Sequence, residues 1–291
     1  MFQKYKYHIL LHFIIFLWGF TGILGKLIHL DFYHIVWNRL LFALIGLGIA
    51  FIFWKKSIKV NSFKQLLKLI GVGVLVALHW ITFYKSIQLS TASLGILCLS
   101  TVTLHVTWLE PLVMKRKFSW VEFSLGLTVI GGIYIVSSDF NSTDYEALAY
   151  GLSSAVFAAL FSVFNGYLVK TIPSTTMTFY ELLTGFILLS AILFTKGEFN
   201  ETLFTMTTND FLWILFLGLI CTSFAFLVTI DILKRLGAFT VSLSINLEPV
   251  YTIILAIFIL EENKLLGPKF YIGAVLIVLV VIGNSFIKKK V

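Results

Sequence analysis

Ten apolar stretches follow one another along the chain, each long enough to cross a bilayer and divided from the next by a short polar gap. A helix needs roughly 20 mostly apolar residues to cross about 30 Å of hydrocarbon, because lipid offers no partner to an unpaired backbone N–H or C=O. The pattern predicts spans at His8–Ile28, Tyr33–Trp54, Leu69–Leu89, Thr91–Met114, Ser119–Ser138, Ala147–Val169, Thr176–Thr195, Phe211–Ile230, Ala238–Leu260 and Pro268–Ile287. The longest gaps, Lys55 to Lys68 and Lys196 to Asp210, are too short for a soluble domain, so function must lie within the helices. The first stretch is longer than a signal-peptide core and lacks a small-residue cleavage site after it, so it reads as a retained helix, with the mature chain starting near Met1.

Composition agrees: 59% of residues are hydrophobic, 12% are charged and the mean hydropathy is +0.97, where a soluble domain carries about a quarter charged residues. A net charge of +8 could point to nucleic acid, but the basic residues are scattered among short loops, which makes them topogenic and excludes a nucleic-acid face. With the N-terminus in the cytoplasm, sixteen of the 22 Lys and Arg fall in inside gaps, among them Lys55, Lys56, Arg116, Lys234, Arg235 and Lys288 to Lys290. Five fall in outside gaps and Arg39 lies within a span. The positive-inside rule therefore puts both termini inside. Cys98 and Cys221 sit in apolar runs as small packing residues, with no disulfide framework or metal set.

The chain repeats itself weakly. A shift of 144 to 147 positions lays Phe20, Gly22 and Lys26 on Phe164, Gly166 and Lys170, Ala92 on Ala238 and, with a gap, Gly126 on Gly273. The halves are 1–140 (helices one to five) and 141–291 (helices six to ten). Five is odd, so the second half enters the membrane in the opposite sense. Inverted repeats suit carriers that rock two pseudo-equivalent halves about a midplane site.

Charged groups inside spans cost at least about 2.5 kcal/mol at the bilayer centre and so need a partner or a wet cavity. Four stand out. Glu248, in the run Asn246, Leu247, Glu248, Pro249, lies near the middle of the ninth span. Either it lines a pathway or it pairs with a polar neighbour to hold helices together. Pro249 removes a backbone N–H and weakens the helix there, freeing a carbonyl. Arg39 and Glu181 lie about two turns inside span ends, at matching repeat positions with opposite charge. Each is a gate group or a snorkelling side chain; Trp37 and Asn38 beside Arg39 would help bind an anion. Glu110 stands near Lys115, Arg116 and Lys117, as an ion-pair partner or a cytoplasmic gate. The offset of 146 sets Thr103 opposite Pro249 and leaves Glu110 without a counterpart.

Trp18, His79 and Trp80 lie too deep for the aromatic belt at the membrane surface, and Tyr84 shares the third span. A lone midplane histidine either meets a substrate or hydrogen-bonds a neighbouring helix. Gly19, Gly22 and Gly25 recur every three residues and permit close helix approach.

At these residues the chain resembles EamA-type carriers of the drug/metabolite transporter superfamily, over essentially all ten spans. The resemblance is carried by Leu17, Trp18, Gly19, Phe20; by Arg39; by Leu247, Glu248, Pro249; and by Glu261, Glu262 before Tyr271, Ile272, Gly273, Ala274. It implies ten helices in two inverted five-helix halves, and a central cavity formed mostly without helices five and ten. It also implies that Trp18, Arg39, His79, Trp80, Tyr84, Tyr180 and Glu248 surround that cavity; the reading of the residues themselves adds Asn246 beside Glu248, and Glu110, Glu181 and Pro249 as gating or coupling groups. The fourth span has Thr101 and Thr103 where the family often has a proline, so a broken helix is expected in the second half and not in the first.

The expectation is an all-α integral membrane protein of ten helices in two inverted repeats, in a bacterial inner membrane. It would be a secondary carrier, an exporter of small metabolites such as amino acids, with a small-molecule substrate, the bilayer as its surroundings, no cofactor and no metal. The rivals are a membrane-embedded lipid-modifying enzyme and a non-transporting scaffold. The first needs a nucleophile, an acid–base pair or a bound metal, and neither a GxSxG run nor a His/Cys/Asp cluster is present, so no catalytic residue is assigned. No GxxxxGK[ST] run would supply nucleotide hydrolysis.

Overall fold

The computed structural model describes residues 2–54, 58–115, 117–245 and 247–287. Asn246 and the gap residues Lys55, Lys56, Arg116 and Lys288 to Lys290 lie outside the described residues. Among the described residues the fold is all-helical: α1 (Phe2–Leu27), α2 (Phe32–Trp54), α3 (Phe63–Leu89), α4 (Ala92–Leu99), α5 (Val102–Met114), α6 (Trp120–Val136), α7 (Ser142–Leu168), α8 (Ser174–Thr195), α9 (Thr208–Leu215), a π-helical segment (Phe216–Phe224), α10 (Ala225–Ile245), α11 (Glu248–Ile259) and α12 (Pro268–Ile287). Seven stretches are long and apolar enough to cross a membrane, and three shorter apolar helices complete the ten expected segments. Large apolar side chains such as Ile52, Phe53 and Phe258 are about 80% exposed, as a lipid-facing surface requires.

Polar residues fix where the helices start. Ser62 accepts from Gln65 N, Ser119 from Glu122 N and Thr207 from Asp210 N, while Asn141 and Asp144 close a reciprocal capping box on α7. Each satisfies a backbone donor that the first turn leaves without an intrahelical partner.

Two expected spans are broken. The fourth divides into α4 and α5 at Ser100 and Thr101 although no proline stands there, which corrects the expectation of an intact helix. The turn tightens there, with the Ser100 N–H on the Leu97 carbonyl (3.1 Å) and the Thr101 N–H on that of Cys98 (3.0 Å); Thr101 Oγ1 shares the Cys98 carbonyl (2.7 Å) and Thr103 Oγ1 donates to that of Ser100 (2.9 Å), local bonds that compete with the helical ladder. The ninth span is interrupted between Ile245 and Glu248. Thr101 and Leu247 are 146 residues apart, the same offset that relates the two halves. The expected gap at residues 231–237 is helical instead, since Leu, Lys and Arg are good helix formers and Gly237 is the one strong breaker there.

Packing follows the repeat. α3 lies on α7 and α8, and its counterpart, the α9–π–α10 run, lies on α1 and α2. α4 and α5 pack on α7 as α10 and α11 pack on α1, and α4 touches α11. α6 and α12 form a peripheral pair whose axes meet at Gly132 and Gly273, where a Cβ on Gly273 would stand 2.6 Å from the Gly132 carbonyl oxygen. The glycine stripe of α1 serves the same end, with Gly19 and Gly22 against Thr252 of α11.

The connection from α11 to α12 folds inward. Glu261 takes a left-handed conformation (φ 53°), and Glu262, 2% exposed, accepts from the backbone N–H groups of Ala92 (2.7 Å) and Ser93 (3.0 Å). The second half thereby caps the first turn of α4.

Candidate functional site

A cavity of about 330 Å³ opens between the halves. Its walls come from α1 (Trp18, Thr21), α2 (Arg39), α3 (His79, Trp80, Phe83), α4 (Leu99), α7 (Phe161, Asn165), α8 (Thr178, Glu181), α10 (Phe226, Ile245) and α11 (Glu248), with no described residue of α6 or α12. The size suits a molecule of a dozen or so heavy atoms, at the small end of ligand pockets.

Arg39 is 5% exposed and held on three sides. Its Nε donates to Thr222 Oγ1 (3.0 Å), its Nη1 to the Tyr84 hydroxyl (3.1 Å), and its guanidinium lies 3.9 Å from the centroid of the Trp80 ring. Trp80 and Tyr84 are one turn apart on α3 and so present one face. Thr222 belongs to the π segment, a rare helical form that gathers at functional sites. There Thr222 Oγ1 donates to the Leu217 carbonyl (2.8 Å), and Ser223 Oγ donates to that of Ala43 on α2 (2.7 Å). Arg39 is thus no snorkelling side chain but a cation fixed between halves. Trp37 and Asn38 turn elsewhere, Trp37 Nε1 to Ser190 Oγ (2.9 Å) and Asn38 Nδ2 to the carbonyls of His34 and Leu203, so neither supports an anion beside Arg39.

Glu248 is the first residue of α11. A carboxylate there faces the positive end of a helix dipole, and among the described residues its side chain has no hydrogen-bond partner, although Arg39 lies within coulombic reach. Pro249 follows in the first turn, where a missing N–H is tolerated. Ile245, in the cavity wall, ends α10, where the last carbonyls have no intrahelical donor.

Glu181 lines the same cavity, 7% exposed, its Oε2 accepting from Asn165 Nδ2 at 3.1 Å. It comes close because α3 carries a glycine opposite: a Cβ on Gly73 would stand 2.6 Å from Thr184 Cβ and 2.8 Å from the Glu181 carbonyl oxygen.

His79 lines the cavity and also ties α3 to α7: its Nδ1 is 2.8 Å from Ser154 Oγ, which in turn lies 3.0 Å from the His79 carbonyl. Trp18 is a wall residue, packed on Phe226. Tyr84 is fully buried behind Arg39 and forms no part of the wall. Tyr180 is half-buried against Phe179 and likewise stands outside it, as does Glu110 on α5. Asn246 lies outside the described residues. Sequence reasoning missed Asn165, Thr178 and Thr222. Polar residues in apolar runs are a usable signal, but Ser and Thr are too common in such helices to single one out. No group of three or more His, Cys, Asp or Glu among the described residues could hold a metal ion.

The profile of the EamA-like transporter family matches twice, over residues 6–138 and 146–286. An uncharacterized transporter, YxxF, of Bacillus subtilis (strain 168) is 24% identical over 248 residues, covering 82% of this chain and 77% of the relative. An uncharacterized transporter of Archaeoglobus fulgidus is 25% identical over 279 residues, covering 89% and 90%. A solved crystal structure superposes with a TM-score of 0.65 at 14% identity, covering 95% of each chain, a likeness of fold. With two copies of the family's repeat, a bundle of apolar helices and two helices broken at repeat-related positions around one cavity, the chain is a multi-pass membrane protein and belongs to the EamA-like transporter family.

Proposed function

We propose that this protein is a secondary carrier in the inner membrane, exporting small polar or amphipathic metabolites, with amino acids as the leading class. One observation carries the reading: a cavity of about 330 Å³ at the junction of two broken helices presents a fixed cation, Arg39, and two carboxyls, Glu181 and Glu248, between aromatic walls. A zwitterion with an apolar body suits such a site, its carboxylate toward Arg39, its ammonium toward Glu248 and its body against the aromatic walls. The halves 1–140 and 141–291 are the units that move, exposing the site to each side in turn, as their repeat-related breaks and packing favour. Both termini face the cytoplasm, in keeping with the positive-inside bias. Gradients drive the cycle.

The test is counterflow of radiolabelled amino acids, nucleosides, sugars and organic cations in proteoliposomes. Saturable flux of one chemical class is expected, strongly reduced by Glu248→Gln and unchanged by Glu146→Gln, a half-exposed acid near Lys85. Equal effects of the two variants would remove Glu248 from the site. Absence of any flux, with turnover of a lipid instead, would make the protein an enzyme.

A further inference from the structure

Two oxygens in the cavity wall have no donor: Glu181 Oε1 and Asn165 Oδ1, both closed to water. They belong to side chains that are already joined, through Asn165 Nδ2 and Glu181 Oε2. A buried acceptor left without a donor costs about 1–3 kcal/mol, so two on adjoining groups call for a common cause. An ionised carboxylate can only accept, and so can an amide oxygen. A neutral carboxyl is different. It can donate its O–H to the amide oxygen while the amide N–H donates to its other oxygen, an eight-membered ring with two hydrogen bonds. Half of that ring is present here. A hydrogen on Oε1, turned toward Oδ1, would complete it and supply both orphan oxygens at once.

We propose that Glu181 carries a proton in this conformation, shared with Asn165 as an acid–amide ring, and that this pair is the proton site of the carrier. A sodium ion or a substrate ammonium would need room beside Oε1 and Oδ1, and neither atom is accessible; a proton needs none. Among the described residues, no titratable neighbour is hydrogen-bonded to the pair. From α2, Arg39 is held by Thr222 and Tyr84; from α3, His79 is held by Ser154, and the closest approach is Gly73. No described titratable side chain of α10 lines the cavity, and Glu248 of α11 is the other acid in its wall. The carrier role, that this pair is its proton site and that ring opening couples proton release to solute movement, rests on the transport reading above; the proton itself does not.

Infrared difference spectra of the full-length protein in lipid nanodiscs, titrated with acid and alkali, test this directly with the proton as probe. The expected result is a protonated-carboxyl C=O band at neutral pH that disappears in Glu181→Gln, shifts in Asn165→Ala, where the ring cannot form, and persists in Glu248→Gln. Added sodium should leave it unchanged. Glu181→Gln can close the same ring with its own amide, so it should fold normally and lose the fall in melting temperature that the wild type shows as pH rises. A band absent at neutral pH, lost only in Glu248→Gln, or removed by sodium would overturn the assignment. Failure of every solute to move would sink the carrier reading and leave the band in place.

Discussion

Glu262 offers the sharpest quantitative test of how the halves are joined. Its buried carboxylate takes the N–H groups of Ala92 and Ser93, while Thr91 Oγ1 takes that of Leu94 and the Thr91 carbonyl that of Gly95, so every donor in the first turn of α4 is accounted for. Glu262→Ala strands two buried donors at roughly 1–3 kcal/mol each and removes a negative charge from a helix N-terminus, about 0.3–1 kcal/mol. Water entering the vacated space offsets part of this, which leaves a loss of about 2–4 kcal/mol. Glu262→Gln keeps one acceptor oxygen and should lose about half as much. The neighbour is the control: Glu261 pairs with Lys264 in the open, both about 65% exposed, and Glu261→Ala should cost under about 1 kcal/mol. Equilibrium unfolding by SDS in mixed micelles gives all three values. A Glu262→Ala variant within about 0.5 kcal/mol of the wild type, the range of an ordinary surface change, would refute the capping argument.

Arg39→Lys keeps the charge but loses the planar stack on Trp80 and the bond to Thr222, so affinity for an anionic solute should fall about tenfold, roughly 1.4 kcal/mol; unchanged thermal-shift titrations would reduce Arg39 to an anchor. Gly73→Ala should destabilise by about 1–3 kcal/mol, because α3 and α8 must part to admit the methyl group, measured by the same SDS titration. A cysteine at Ser142 should react with an impermeant maleimide added outside intact cells and one at Asn61 should not; both positions are exposed and the native Cys98 and Cys221 are buried. The reverse pattern would invert the topology.

Hydrophobicity alone determined that the chain is a ten-segment helical membrane protein, because a bilayer admits few other ways of satisfying the backbone. The repeat offset determined where the halves correspond, and the buried charges marked Arg39, Glu181 and Glu248 as groups needing company. What those groups meet was decided in three dimensions. Thr222 is 183 positions from Arg39, and its hydroxyl reaches the guanidinium from a π segment that no periodicity announced. The break in the fourth span came without a proline, at a tightened turn where the hydroxyls of Thr101 and Thr103 bond nearby carbonyls. Asn165 was unremarkable until α7 and α8 brought it to Glu181, and Tyr84 and Tyr180 proved to stand outside the cavity wall. One-dimensional patterns record what lipid demands of each helix. Partners between helices depend on register and rotation, which are set by close contacts such as those at Gly73, Gly132 and Gly273 and become visible only once the helices are packed.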